Sequence, residues 1–238
     1  MGMTAQLYDI PQLRQQTGVF ADRRDAGQIL AQMLHDWKGA QAIVLGVPSG
    51  GIPVAVEIAG ALDLALDAAV VSKILLPWNT EAGFGAVGFD GSIWINDEFA
   101  SYYNLDQTAI EQQTQAALAK VQRRVKLFRD DRPWPDLENR TAILVDDGIA
   151  AGSTLRVAVQ ALRNSGASGI VLAVPTVHRE SLDQFMDKVD TIYCANIRSG
   201  PQFAVAAAYR YWDDVDENDA AEMMHAYQDR LNRRGHSP

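Results

Sequence analysis

Ile143-Leu-Val-Asp-Asp-Gly-Ile-Ala-Ala-Gly-Ser-Thr154 is an apolar run that stops on two adjacent carboxylates and passes through small residues to two hydroxyls. Four apolar residues without alternation read as a strand buried on both faces, spanning Thr141 to Asp146. The loop 147–152 then leads into a helix that begins at Ser153 or Thr154 and carries Leu155, Ala158, Val159 and Leu162 on one face. Free N–H groups at such a helix start, with the hydroxyls of Ser153 and Thr154, suit a phosphate dianion. Gly148, Ala150, Ala151 and Gly152 let the backbone approach a ligand closely, and Ile149 lies among them. Asp146 and Asp147, one loop-length away, suit a sugar diol and can hold hydrated magnesium.

Outward from this segment, the order of elements repeats one theme. Asp22 to Trp37 places Ile29, Leu30, Met33, Leu34 and Trp37 at helical spacing, and Ala42 to Val47 is a second buried strand. Pro48-Ser-Gly-Gly51 turns the chain into a helix reaching about Leu62, and Ala68 to Lys73 reads as another strand. Leu75 to Gly83 reads as a mobile loop. Phe84 to Phe89 and Ser92 to Asn96 form a hairpin around Asp90-Gly91. Thr108 and Glu111 match a capping box for a long helix that ends before Pro133. Strands at Gly169–Val174 and Thr191–Asn196 flank a helix around Ser181 to Lys188, and a last helix covers about Asn218 to Leu231. Strands alternating with helices predict an α/β fold with a doubly wound, mostly parallel sheet and an inserted loop and hairpin. We expect one domain over 1–238, with a core of about 40–200 and small elements from 1–39 and 201–238.

Composition narrows the function classes. A net charge of −9 argues against a nucleic-acid groove, which needs clustered Lys and Arg. The apolar stretch Val54 to Val71 contains Glu57, Asp63 and Asp67, too many carboxylates for a membrane span. No signal-peptide pattern stands at the start, so the expected location is cytoplasmic. The single cysteine, Cys194, reads as a buried strand residue.

The 143–154 string resembles the PRPP-binding motif of type I phosphoribosyltransferases: a hydrophobic strand, two acidic residues, a small loop, then Gly and Ser or Thr. Ala151 stands where many members have Thr, and orotate-type enzymes are similar in carrying Ala there. The resemblance implies that Asp146 and Asp147 face the ribose hydroxyls, directly or through a water-bound magnesium ion, while Gly148 to Thr154 wrap the 5-phosphate. Val47-Pro-Ser-Gly-Gly-Ile-Pro-Val-Ala55 resembles the family's pyrophosphate loop, with Ser49, Gly50 and Gly51 as an anion nest. Many relatives have a basic residue where this chain has Ser49. Lys73 matches a lysine that contacts pyrophosphate in several members, and Leu75 to Asn96 falls where the family keeps its catalytic loop. Phe20-Ala-Asp-Arg23 and Phe203-Ala-Val205 extend the similarity to a bacterial and archaeal group without an assigned substrate.

The resemblance therefore implies a magnesium-dependent transfer from PRPP to a nucleobase or related nitrogen nucleophile, with pyrophosphate released and Asp146, Asp147 and Lys73 in the catalytic set. It also implies a homodimer and a hood from the chain ends, where Trp78, Phe203, Tyr209, Tyr211 and Trp212 are candidate base-stacking residues. A sensor that binds PRPP without chemistry is the alternative, favoured by Ser49 and opposed by Lys73. A serine hydrolase using Ser49 and His178 is more distant, because the nucleophile-elbow glycine before Ser49 is absent. Gly83-Phe-Gly-Ala-Val-Gly88 spells a dinucleotide pattern but precedes a hairpin, not a helix. The acidic tail Asp213 to Asp219 reads as a helix start, not a calcium loop.

Overall fold

The computed structural model describes residues 4–130 and 132–233, so the outermost residues of the expected chain-end elements lie outside it. In chain order the elements are β1 (Gln6–Asp9), α1 (Arg23–Met33), β2 (Ala42–Gly46), α2 (Gly51–Leu62), β3 (Ala65–Ala68) and β4 (Val71–Leu75). Next come β5 (Gly83–Gly88), β6 (Ile93–Ile95), α3 (Asp97–Tyr102), α4 (Gln107–Arg129), β7 (Thr141–Val145) and α5 (Ser153–Asn164). The chain continues through β8 (Gly169–His178), α6 (Arg179–Asp183), β9 (Thr191–Arg198) and α7 (Glu217–Arg233).

Six strands form one parallel sheet in the order β1-β9-β8-β7-β2-β3, and β4-β5-β6 form a separate antiparallel sheet. Strand residues alternate between two apolar layers. Val44, Ile143 and Val171 face the layer of α1, α2 and α7, whereas Ile43, Leu144 and Leu172 face the layer of α5. Burial on both faces explains why these strands read as continuous apolar runs. From β2 the chain moves outward to β3, and from β7 it moves outward the other way to β8 and β9. β2 and β7 thus flank the point where the winding reverses, which is where ligands bind in open α/β sheets. No helix among the described residues is long and apolar enough to cross a membrane.

The doubly wound sheet, the hairpin and the helix start at Ser153 are as expected; several local readings are not. Ala68 to Lys73 is two strands: β3 joins the main sheet at Ala68, and β4 joins the small sheet at Val71. The run from Ala68 to Ser72 is buried throughout, so hydrophobicity gives no sign of the change of sheet. Lys73 consequently sits in mid-strand opposite Ala86, not at a strand end. The expected loop is present over 76–82, where Leu76 N–H reaches Ala82 O at 3.0 Å and Asn79 Oδ1 accepts from Glu81 and Ala82. The cap of α4 is Asp106, whose carboxylate accepts from Ala109 N at 2.7 Å, so the Thr108–Glu111 pair lies inside the helix. α6 ends at Asp183, short of the expected Lys188, and β8 runs four residues beyond Val174. β1 is an edge strand that the sequence reading lacks.

Candidate functional site

Two loops project from the winding reversal, one after β2 and one after β7. The adjoining strand ends are held in register, with Gly46 beside Val145 and Val47 N–H bonded to Val145 O at 2.8 Å. Glycine lets the loops touch. A Cβ on Gly50 would lie 2.0 Å from Asp147 Oδ2, and one on Gly51 would lie 2.7 Å from Val145 O. Between the loops opens a pocket of about 330 Å³ lined by Gly50, Lys73, Glu81, Arg124, Asp146, Asp147 and Thr154 among others.

The loop after β7 is anchored from below. Ile149 pairs with Val177 as an isolated bridge, donating to Thr176 O at 2.9 Å and accepting from His178 N at 2.9 Å. The extension of β8 past Val174 supplies these partners. Ser181 Oγ, at the start of α6, donates to Ala150 O. Ile149 is therefore a buried anchor whose N–H is already used, and it has no donor left for a phosphate. The N–H groups of 150–152 make no hydrogen bond among the described residues and sit just before α5. A Cβ on Gly148 would meet Val205 at 2.5 Å and Thr176 at 2.9 Å.

The two carboxylates differ in their partners. Asp146 Oδ1 accepts from Asp147 N at 2.9 Å. Burial, followed by the charge of Asp147, raises the Asp146 pKa well above the usual carboxylate range. Asp147 is also raised by burial, with Arg23 opposing; Arg23 Nε lies 2.9 Å from Asp147 Oδ2. The Arg23 guanidinium lies 3.8 Å from the centre of the Trp212 ring, and Tyr209 Oη donates to Asp147 O at 2.5 Å. Residues from the N- and C-terminal segments thus meet at Asp147, Arg23 on its carboxylate and Tyr209 on its carbonyl. Phe20-Ala-Asp-Arg23 is the only sequence sign of this contact.

Two adjacent carboxyl groups lining one pocket could hold a cation. No cluster of three or more His, Cys, Asp or Glu side chains that could hold a metal occurs among the described residues. With Asp146 and Asp147 as its only protein carboxylates, a magnesium ion here would take its other ligands from water and ligand oxygens.

Of the remaining candidates, Lys73 Nζ reaches Glu81 O at 3.5 Å beside the pocket. Gly51 N–H is spent on Val47 O at 2.9 Å, whereas Ser49 and Gly50 have no N–H bond among the described residues. Of the aromatic candidates, Tyr209 is buried and Trp212 is covered by Arg23; Phe203 packs on His178, with ring centres 5.2 Å apart. Trp78 and Tyr211 are exposed. His178 and Ser49 belong to separate constellations, and His225 Nε2 lies 2.8 Å from Phe128 O near the end of α4. Sequence reasoning missed Arg124. It stands on the apolar stripe of α4 between Val121 and Phe128, and a charge on such a stripe was the available signal.

The phosphoribosyl transferase domain profile matches residues 100–211, which contain the loop after β7 but neither Lys73 nor the loop after β2. Two Mycobacterium tuberculosis proteins from strains CDC 1551 and H37Rv, both named provisionally as phosphoribosyl transferases, are 38% identical over 215 residues. That match covers 90% of this chain and 47% of theirs, so the chain spans about half the length of these curated relatives. The crystal structure of TT1426 from Thermus thermophilus is similar with a TM-score of 0.69 and 30% identity, covering 87% of this chain and 98% of that one.

Proposed function

Because the chain belongs to the phosphoribosyl transferase family, we propose that it transfers the 5-phosphoribosyl group of PRPP to a nitrogen nucleophile and releases pyrophosphate. The observation that carries this reading is the contact of Gly50 with Asp147, which joins the two loops around one pocket. In this reading the 5-phosphate sits on the N–H groups of 150–152 and the hydroxyls of Ser153 and Thr154, at the start of α5. Asp146 and Asp147 take the ribose hydroxyls. The pyrophosphate faces Ser49, Gly50 and Lys73.

The reaction breaks the bond from the anomeric carbon to pyrophosphate, and the electron pair leaves with pyrophosphate. The acceptor nitrogen bonds to that carbon and loses a proton, for which Glu81 on the 76–82 turn is the proposed acceptor. Positive charge develops on the sugar, so the residues act mainly by orienting it and stabilising the leaving group. Bound magnesium would further offset charge on the pyrophosphate oxygens. The segments 1–39 and 201–238 are the proposed hood over the acceptor, supported by the meeting of Arg23, Tyr209 and Trp212 at Asp147.

Calorimetry with PRPP and magnesium tests the binding half. We expect Asp147→Ala to abolish magnesium-dependent affinity, and unchanged affinity sinks the assignment. Pyrophosphate release from PRPP across a panel of nucleobases tests transfer. Tight PRPP binding with no release for any acceptor would favour a sensor.

A further inference from the structure

We propose that Arg124, together with Lys120 one turn earlier on α4, supplies the positive charge of the pyrophosphate subsite that the loop 48–51 does not carry itself. This rests on the reading that the pocket takes PRPP.

The geometry around Arg124 is specific. Its side chain is 8% exposed, on a helix face otherwise occupied by Ala117, Val121 and Phe128. Burying a guanidinium there is unfavourable unless its donors find partners. Nη1 donates to Val71 O at 3.0 Å, Nε faces Glu217 Oε1 of α7 at 3.0 Å, and Nη2 reaches Ser49 Oγ at 3.4 Å. The fork is therefore fixed on two sides and turned on its third toward the loop after β2.

The local charge count points the same way. Glu217 also binds Arg123 Nη2, at 2.7 Å through Oε2, so one carboxylate serves two guanidinium groups. Lys120 and Arg124 are four residues apart, hence on one helix face, and both line the pocket with Lys73. These three cations line the same pocket as Gly50 and the carboxylates of Asp146 and Asp147. A planar guanidinium matches paired phosphate oxygens, and an ammonium adds point charge. A pyrophosphate between the fork and the glycine loop would meet both. Ser49 contributes a short hydroxyl, which leaves room for the longer side chain from α4.

The test uses the full chain and two probes in calorimetry: inorganic pyrophosphate with magnesium, and ribose 5-phosphate. Arg124→Met should weaken pyrophosphate about tenfold or more while leaving ribose 5-phosphate within about twofold. Arg124→Lys should recover part of the loss. Lys120 is exposed, so Lys120→Met provides a variant that does not disturb packing; it should weaken pyrophosphate about threefold to tenfold. Unchanged pyrophosphate affinity in a folded Arg124→Met protein overturns the inference, as does equal weakening of both probes. If Arg124→Met does not fold, unchanged affinity in Lys120→Met overturns it. Wild-type binding of ribose 5-phosphate without pyrophosphate overturns the inference and spares the phosphate-site reading. Arg124-dependent pyrophosphate binding without ribose 5-phosphate does the reverse.

Discussion

The loop after β7 and the loop after β2 leave neighbouring strands side by side, yet they are assembled by opposite means. The first is nearly self-contained: its carboxylates, small residues, free N–H groups and helix start lie within twelve consecutive residues. Support from elsewhere, through Thr176, Val177 and Ser181, acts from below. The second offers only a serine and two glycines. Its charge arrives from Lys73 on the small sheet and from Arg124, 75 residues beyond Ser49. A site made of contiguous backbone has its chemistry written in order along the chain, whereas one made of converging side chains has it scattered.

The contact between the two loops is the place to break this arrangement. In Gly50→Ala the new methyl would lie 2.0 Å from Asp147 Oδ2. The oxygen that would have to yield is the one paired with Arg23 at 2.9 Å. We expect PRPP affinity to fall about 100-fold with the fold retained, read by calorimetry and circular dichroism. Near-wild-type affinity would mean that the loops do not depend on each other.

Substitution within the self-contained loop should act on stability instead. Gly148→Ala presses a methyl against Val205 and Thr176 at 2.5 and 2.9 Å. Overpacking of this kind should cost about 2 kcal/mol in denaturant unfolding. A neutral result would show that the 203–208 segment yields easily. The smallest expected effect is at the support. Ser181→Ala removes the donor to Ala150 O and should cost about 1 kcal/mol. It should also weaken ribose 5-phosphate more than pyrophosphate, and the opposite order would contradict the division of labour between the loops.

The same contrast explains what is legible in the sequence. β2, β7 and the start of α5 can be placed closely because burial on both faces leaves uninterrupted apolar runs, ended by glycine in one case and by two carboxylates in the other. The parting of β3 from β4 cannot, since Ala69 and Val70 are as buried as the strands they separate. Asp106 escapes notice as a cap because Thr108 and Glu111 also satisfy the expected spacing. Of these three, only Asp106 has a carboxylate at the helix entrance. Arg124 looks like one more charge on a long helix, and its meaning depends on Val71, Ser49 and Glu217, none of them near it in sequence. The nest is legible as a pair of glycines, but not that Gly51 N–H is consumed by Val47 O.

The ion pair of Arg23 with Asp147 ties ligand binding to the two ends of the chain. Arg23 opens α1, and it also donates to Asp213 O at 2.7 Å while covering Trp212. A ligand that competes for Asp147 Oδ2 would loosen this clasp, whereas one that touches neither partner would leave it unchanged. Thermodynamic linkage makes the relation reciprocal: whatever holds the N- and C-terminal segments together must alter affinity at the carboxylate by the same factor. We therefore expect limited proteolysis near Arg23 and Asp213 to change when a ligand displaces Arg23 from Asp147.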